Sequence, residues 1–174
     1  MIESVKINEA SHPLLNEVKR TYTDSFPPCE RRKFEEVKKL VEENPQLTIE
    51  AFLFDNQYTG FITSWHLEDF IYIEHFAIEE KMRNRQIGRQ VLTHFISEKK
   101  KPVVLEVEIP EDEMSRRRIG FYERIGFTLD THISPHPPYQ EGEAGIELHV
   151  MAYGEPDLSN KYEKIKKELY KHVY

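Results

Sequence analysis

Between Phe70 and Phe95 the chain passes from one kind of hydrophobic pattern to another. Residues 70 to 78 are mostly β-branched or aromatic and predict a strand, whereas Ile87, Val91, Leu92, Phe95 and Ile96 recur at helical spacing. Strand must therefore turn into helix through Lys81 to Gly88. That turn carries Lys81, Arg83, Arg85 and Arg89, and the start of the helix supplies backbone N–H groups without intrahelical partners. Together these can hold a phosphate group at the end of a strand. An ordinary polar turn before a surface helix would look similar. The turn is neither a dinucleotide fingerprint, since G-x-G-x-x-G is absent, nor a nucleotide P-loop, since no Gly-Lys-Ser/Thr follows.

The chain has 174 residues, enough for one domain with a full core, residues 1–174, and too few for two comfortable ones. Its formal net charge of −7 argues against a nucleic-acid binder held by general phosphate attraction. Cations that do cluster are therefore informative: residues 81–89, Arg116-Arg117-Arg118, and the pair Arg31-Arg32. Cys29 is the one cysteine and can form no internal disulfide, and no Cys/His array has zinc spacing, so a reducing cytoplasm and no metal are expected. No secretory signal and no membrane span is visible in the sequence.

Ser4 to Ile7 predicts a short first strand, and Leu14, Leu15, Val18, Tyr22 and Phe26 mark one face of a helix stopped by Pro27-Pro28. A second helix is expected from about Glu30 to Glu43. Residues 47–54, 58–65 and 70–78, separated by short polar breaks, predict an antiparallel meander. Val103 to Ile109 predicts a further strand, joined through the helical crossover as a parallel, right-handed βαβ unit. Asp112 or Ser115 can cap the next helix, which Gly126 ends as a left-handed cap. Residues 127–131 and 146–153 predict two closing strands around the loop SPHPPYQEGEAG. Leu158, Tyr162, Ile165, Leu169 and Val173 mark a terminal helix over residues 154–174 that either covers the core or meets a second subunit.

The series Ala77-Ile78, Arg83-x-x-Gln86-x-Gly88, Leu105-Glu106-Val107 and Phe121-Tyr122-Glu123-Arg124-Ile125-Gly126-Phe127 resembles the GNAT superfamily of acetyl-coenzyme A dependent N-acetyltransferases. The resemblance covers residues 1 to about 153 and is most specific over Phe121–Phe127. Gln86 stands where that family usually has the first glycine of its loop, which is tolerable if Gln86 keeps α-region dihedrals and points away from the ligand. Gly120, inside a helix, is compatible with a close approach by cofactor. The segments Phe26–Arg32 and Pro137-Pro138-Tyr139 look like a bacterial-type branch whose members mostly lack an assigned acceptor.

The resemblance implies an α/β (α+β) fold: a central mixed, mostly antiparallel twisted sheet of about seven strands flanked by helices, with an extra C-terminal helix. It implies acetyl-CoA as cosubstrate, with pantetheine lying between the strands at 70–78 and 103–109 and pairing with backbone groups at Phe76, Ala77 and Ile78. The cofactor loop would be Arg83, Asn84, Arg85, Gln86, Ile87, Gly88 and Arg89, with the pyrophosphate on the backbone N–H groups of Arg85 to Arg89. Arg83, Arg85, Arg89 and Arg116 to Arg118 would meet the remaining charge, and Ser115 and Arg118 stand where the family often has Asn and Ala. A solvated helix face is the plainer reading of Arg116 to Arg118.

Tyr122 is the expected general acid, since a phenol with pKa near 10 stays protonated at neutral pH and can meet a departing thiolate with pKa of about 8.5. A core tyrosine satisfied by one hydrogen bond is the alternative. Glu74 is the expected base, placed by strand alternation on the same face as Tyr72 and Phe76, with a pKa raised beside an apolar cleft. His75 would point the other way; His136, Glu106 and Tyr139 are weaker candidates, and Cys29 as a nucleophile lacks a neighbouring base. The expected protein is a cytoplasmic N-acetyltransferase acting by direct attack on a primary amine, a small molecule or a peptide amine. It would bind no nucleic acid and no membrane, and could form a homodimer. A non-catalytic acyl-CoA binding, sensor or interaction module on the same fold is the rival.

Overall fold

In the computed structural model, which describes residues 1–174, strand β1 (Ile2–Ile7) is followed by helices α1 (Leu15–Ser25) and α2 (Phe34–Glu43). Strands β2 (Leu47–Phe54), β3 (Gln57–His66) and β4 (Ile71–Ile78) come next, then helix α3 (Ile87–Ser97), strand β5 (Val103–Glu108) and helix α4 (Glu113–Glu123). Strands β6 (Thr128–His136) and β7 (Ile146–Tyr153) and helix α5 (Leu158–His172) close the chain. All strands join one seven-stranded sheet in the order β1-β2-β3-β4-β5-β7-β6. Only β4 and β5 run parallel. No helix is long and apolar enough to cross a membrane.

Local chemistry accounts for these breaks. Asp55 and Asn56, with φ of 48° and 62°, form the left-handed two-residue turn that matches the twist of the β2–β3 hairpin. Asp112 caps α4 by accepting from the Ser115 backbone N–H at 2.7 Å, while Ser115 Oγ accepts from the Asp112 N–H. Gly126, at φ 114°, ends that helical segment: its N–H and that of Phe127 both reach the Tyr122 carbonyl, returning Phe127 to the core.

The sheet is covered on both faces. Val91, Leu92, Phe95 and Ile119 of α3 and α4 pack with Ile71, Ile73 and Leu105 on one side. On the other, α1 and α2 cover Ile49, Phe61 and Ala77, while α5 lays Leu158, Tyr162, Ile165 and Leu169 over Trp65, Tyr72, Val104 and Val150. The terminal helix therefore spends its apolar stripe on its own core.

Two boundaries differ from expectation. Helix α2 starts at Phe34, not near Glu30, because Arg31 is extended and the Arg32 N–H bonds the Tyr22 hydroxyl. Strand β6 runs five residues past Thr131, to His136, with a register break between Asp130 and Ser134. Side chains of α5 supply the donors that its edge would otherwise lack: Tyr162 to the Ile133 carbonyl, and Lys166 and Tyr170 to that of Pro135.

Candidate active site

Strands β4 and β5 pair only from Ile71/Val103 to Ile73/Leu105. Beyond that point β4 stays with β3 as far as Ile78, and β5 stays with β7 as far as Glu108, so the two edges part. The gap is a cavity of roughly 430 Å³ lined by Phe76, Ala77, Ile78, Glu106 and Tyr122, and it continues to Glu74, His136 and Tyr139. A second cavity, roughly 630 Å³, opens on the α3/α4 side. Phe76, Ile78, Arg83, Arg118 and Tyr122 line both, so Tyr122 stands at the junction.

The second cavity is cationic. Arg83, Asn84, Gln86, Ile87, Gly88 and Arg89 form one wall, and Arg118, Phe121 and Tyr122 of α4, with Arg124 just past its end, the other. Gln86 caps no backbone group of α3 with its side chain, and the first turn of α3 holds no acid, so its N–H groups remain available to an anion. A Cβ on Gly88 would lie 3.5 Å from Ile78 Cγ1 and 3.7 Å from Phe121 Cζ, so the glycine keeps this wall low.

Several loop expectations need correction. Gln86 has φ 57° and ψ 13°, in the left-handed region and not the right-handed α region, and it is one of the residues that line the cavity. Asn84 is left-handed too, at φ 64°. Arg85 lines a different surface pocket with Glu17, Tyr58 and Glu79, because these dihedrals turn it to the opposite side. Ser115 is buried in its capping duty and lines neither cavity. Gly120 lines neither; a Cβ there would meet only Arg124, at 3.2 Å. The Ile78 carbonyl accepts from Arg83 Nε at 2.9 Å, which leaves it one lone pair for a further donor. Arg116 bonds the Pro110 carbonyl and Arg117 pairs with Glu113, so these two form a solvated face.

The strand that should present Glu74 carries a bulge. Thr63 pairs with His75 and Ser64 with Ile73, leaving Glu74 as the extra residue. Alternation resets there. Phe76 packs toward α4, stacked with Phe121, whereas Glu74 joins Tyr72's side and His75 turns to the same side, its ring between Tyr22 and Phe26. Glu74 Oε1 accepts from Arg32 Nε and Nη2 at 3.1 and 2.9 Å, and Oε2 from Trp65 Nε1 at 2.9 Å. Burial pushes the carboxyl up, but Arg32 and the Trp65 hydrogen bond outweigh it and hold the group below the ordinary carboxylate range. The raised pKa expected of a base is absent.

It appears instead at Glu106. This β5 carboxylate accepts from the Tyr174 hydroxyl and, at 3.4 Å, from Ser134 Oγ, and burial pushes its pKa up to about 7 against those hydrogen bonds. Tyr122 is buried, its hydroxyl makes no hydrogen bond within the chain, and burial pushes the phenol up to about 12. It is therefore not the internally satisfied core tyrosine.

The acetyltransferase (GNAT) family model matches residues 12–127. The chain belongs to the GNAT family. A solved structure from Bacteroides thetaiotaomicron, assigned to the same family, is 34% identical, with a TM-score of 0.94 over 99% of this chain and 98% of that one. A GNAT acetyltransferase from Elizabethkingia anophelis, solved with acetyl-CoA bound, is 17% identical, with a TM-score of 0.60 over 87% of this chain and 96% of that one. An aminoglycoside 6′-N-acetyltransferase solved with coenzyme A is 14% identical, with a TM-score of 0.58 over 87% and 96% of the two chains. These last two share the fold. Among curated proteins, none matches this chain.

In this GNAT chain, sequence reasoning missed Phe121 and Arg124 as cavity residues. The signal was present for Phe121, which lies three residues from Arg118 and beside Tyr122, four from Arg118, on one helical stripe; Arg124, at the helix end, follows Phe121 by three. Nothing in the sequence announced the bulge at Glu74, or that Tyr174 would reach Glu106.

Proposed function

We propose that the chain transfers the acetyl group of acetyl-CoA directly to a primary amine, with a small molecule as acceptor. The observation that carries this reading is the disposition of Tyr122 and Glu106 on one cleft, with a cationic cavity at its mouth. Acetyl-CoA supplies the activated thioester. The residues present fit its charge: Arg83, Arg89, Arg118 and Arg124 and the uncapped start of α3 form a pocket for phosphate, and neighbours of this fold are solved with CoA or acetyl-CoA. The apolar stretch at Phe76, Ala77 and Val107 suits a pantetheine-like arm and excludes water.

Glu106, poised near pH 7, takes the proton of the attacking amine. Tyr122, protonated at any physiological pH, donates to the sulfur as it leaves. A backbone N–H of residues 76–78 is the donor for the developing oxyanion. Glu74 acts as a positioning residue, fixing Arg32 and with it the turn at 26–32 beside the cleft. Glu106 replaces Glu74 as the base because no cation pairs directly with its carboxylate, Lys166 acting only from beyond Ser134, and its pKa matches the task.

Thermal unfolding with saturating acetyl-CoA tests the reading, with dephosphorylated pantetheine as control. Cofactor at about 100 times its dissociation constant should stabilise the fold by roughly 2.7 kcal/mol, a shift of several degrees. No shift would remove the cofactor, and binding without transfer to any amine would leave a cofactor-sensing module.

A further inference from the structure

The amine end of the cleft holds one buried polar atom with nothing to bond. His136, the last residue of β6, is 4% exposed, and its Nδ1 lies 2.6 Å from the Pro137 carbonyl oxygen. A carbonyl only accepts, so Nδ1 carries the ring proton and Nε2 presents the lone pair. Nε2 is buried without a hydrogen-bond partner. Burial lowers the imidazole's pKa below its ordinary value against the pull of the Pro137 carbonyl and Glu74; the other charged groups that face it are His75 and Lys166. The ring is therefore neutral at physiological pH and can accept a hydrogen bond.

What surrounds it limits the donor. The Tyr174 ring packs on His136 at 4.4 Å and its hydroxyl bonds Glu106, so His136 and Glu106 border the same small space. Tyr139 lies 4.7 Å from His136 and 5.8 Å from His75, and Gln140 ties the β6–β7 loop to the Pro28 carbonyl at 2.8 Å. The turn after α1, the β6–β7 loop and the end of α5 thus meet across this end of the cleft. A peptide could pass only by parting all three, whereas a small molecule can enter without continuing beyond them.

We propose that His136 is the specificity-determining residue of the acceptor site. Its Nε2 accepts a hydrogen bond from a second donor, a hydroxyl or amine, on a small primary amine whose reacting nitrogen lies at Glu106. The inference rests on the acetyl-transfer reading for the position of the reacting nitrogen. A pocket built to receive a donor discriminates strongly against an analogue that lacks it, because the buried acceptor is then left unpaired.

The test uses amine pairs that differ by one donor: 3-aminopropan-1-ol with propylamine, 1,4-diaminobutane with butylamine, and tyramine with phenethylamine. Initial rates with acetyl-CoA, and calorimetric binding to the CoA-loaded protein, are measured for the wild type, His136→Phe and His136→Gln. The wild type should favour the donor-bearing member of at least one pair about tenfold or more. His136→Phe should abolish that preference while keeping its affinity for acetyl-CoA, and His136→Gln, whose amide oxygen can still accept, should restore part of it. No preference in the wild type, no binding of any pair, a preference that survives in His136→Phe, or faster transfer to peptide N-termini than to every small amine would overturn the proposal. Discrimination in binding without acetyl transfer would leave it standing and remove the acetyl-transfer reading. Transfer without discrimination would do the reverse.

Discussion

Two ionisable side chains on facing elements have been pushed in useful directions by the same cause. Burial raises Tyr122 to about 12, so the phenol is a proton donor over the whole working range. Replacing it by Phe removes the donor and almost no volume. Turnover should fall about 10²- to 10⁴-fold while acetyl-CoA affinity by calorimetry stays unchanged; normal turnover would take Tyr122 out of the mechanism. Burial also raises Glu106 to about 7 from its ordinary 4.5, so the folded protein holds a proton there that the unfolded chain releases. Stability contributed by that proton is present at low pH and is lost as pH rises through the window from 4.5 to about 7. The rate has the opposite sign, since the base must be ionised: kcat/KM should fall below pH about 7. Glu106→Gln should flatten both profiles, lower kcat/KM about 10²- to 10⁴-fold, and raise the melting temperature at pH 8. A variant that is both inactive and less stable at pH 8 would show that the carboxylate is structural.

At the scale of elements, the phosphate loop and α4 form one cavity, and the two left-handed residues of the loop decide which arginines share it. Asn84 and Gln86 turn the backbone so that Arg83 and Arg89 line the pocket and Arg85 does not. Arg124→Ala should therefore weaken acetyl-CoA binding about tenfold, and Arg85→Ala by less than about twofold, measured by calorimetry at one salt concentration. Equal effects would mean that the loop faces the other way. The bulge in β4 is a second decision at this scale. Glu74 keeps the Tyr72 side that period-two alternation predicts and meets Arg32 there, while the one extra residue sends Phe76 to the α4 side and so separates the two.

Across the whole molecule, α5 joins the core to the site. Its apolar stripe closes the face over Trp65 and Val150, its polar side chains bond the edge of β6, and the residues that follow it bring Tyr174 to Glu106. Leu169 is fully buried, and Leu169→Ala should cost about 2–5 kcal/mol in urea unfolding. A loss below about 1 kcal/mol would show that the helix is only loosely docked. By itself the sequence determined the order of elements, the parallel βαβ unit, both termini of α4 and the cationic loop. The elements themselves, the ends of α4 and the loop are local, written in hydrophobic period, capping residues and turn chemistry within about ten positions, and the parallel unit follows from the crossover rule once strand, helix and strand are in sequence. The order of the sheet, the parting of β4 and β5, the raised pKa of Glu106 and the unpaired nitrogen of His136 were decided only by the tertiary structure. A pKa depends on how much water and which charges surround a group, and for Glu106 those neighbours, Tyr72, Ser134, Lys166 and Tyr174, come from three elements distant in sequence. No spacing in the chain encodes that meeting; it follows from how β4, β6 and α5 pack.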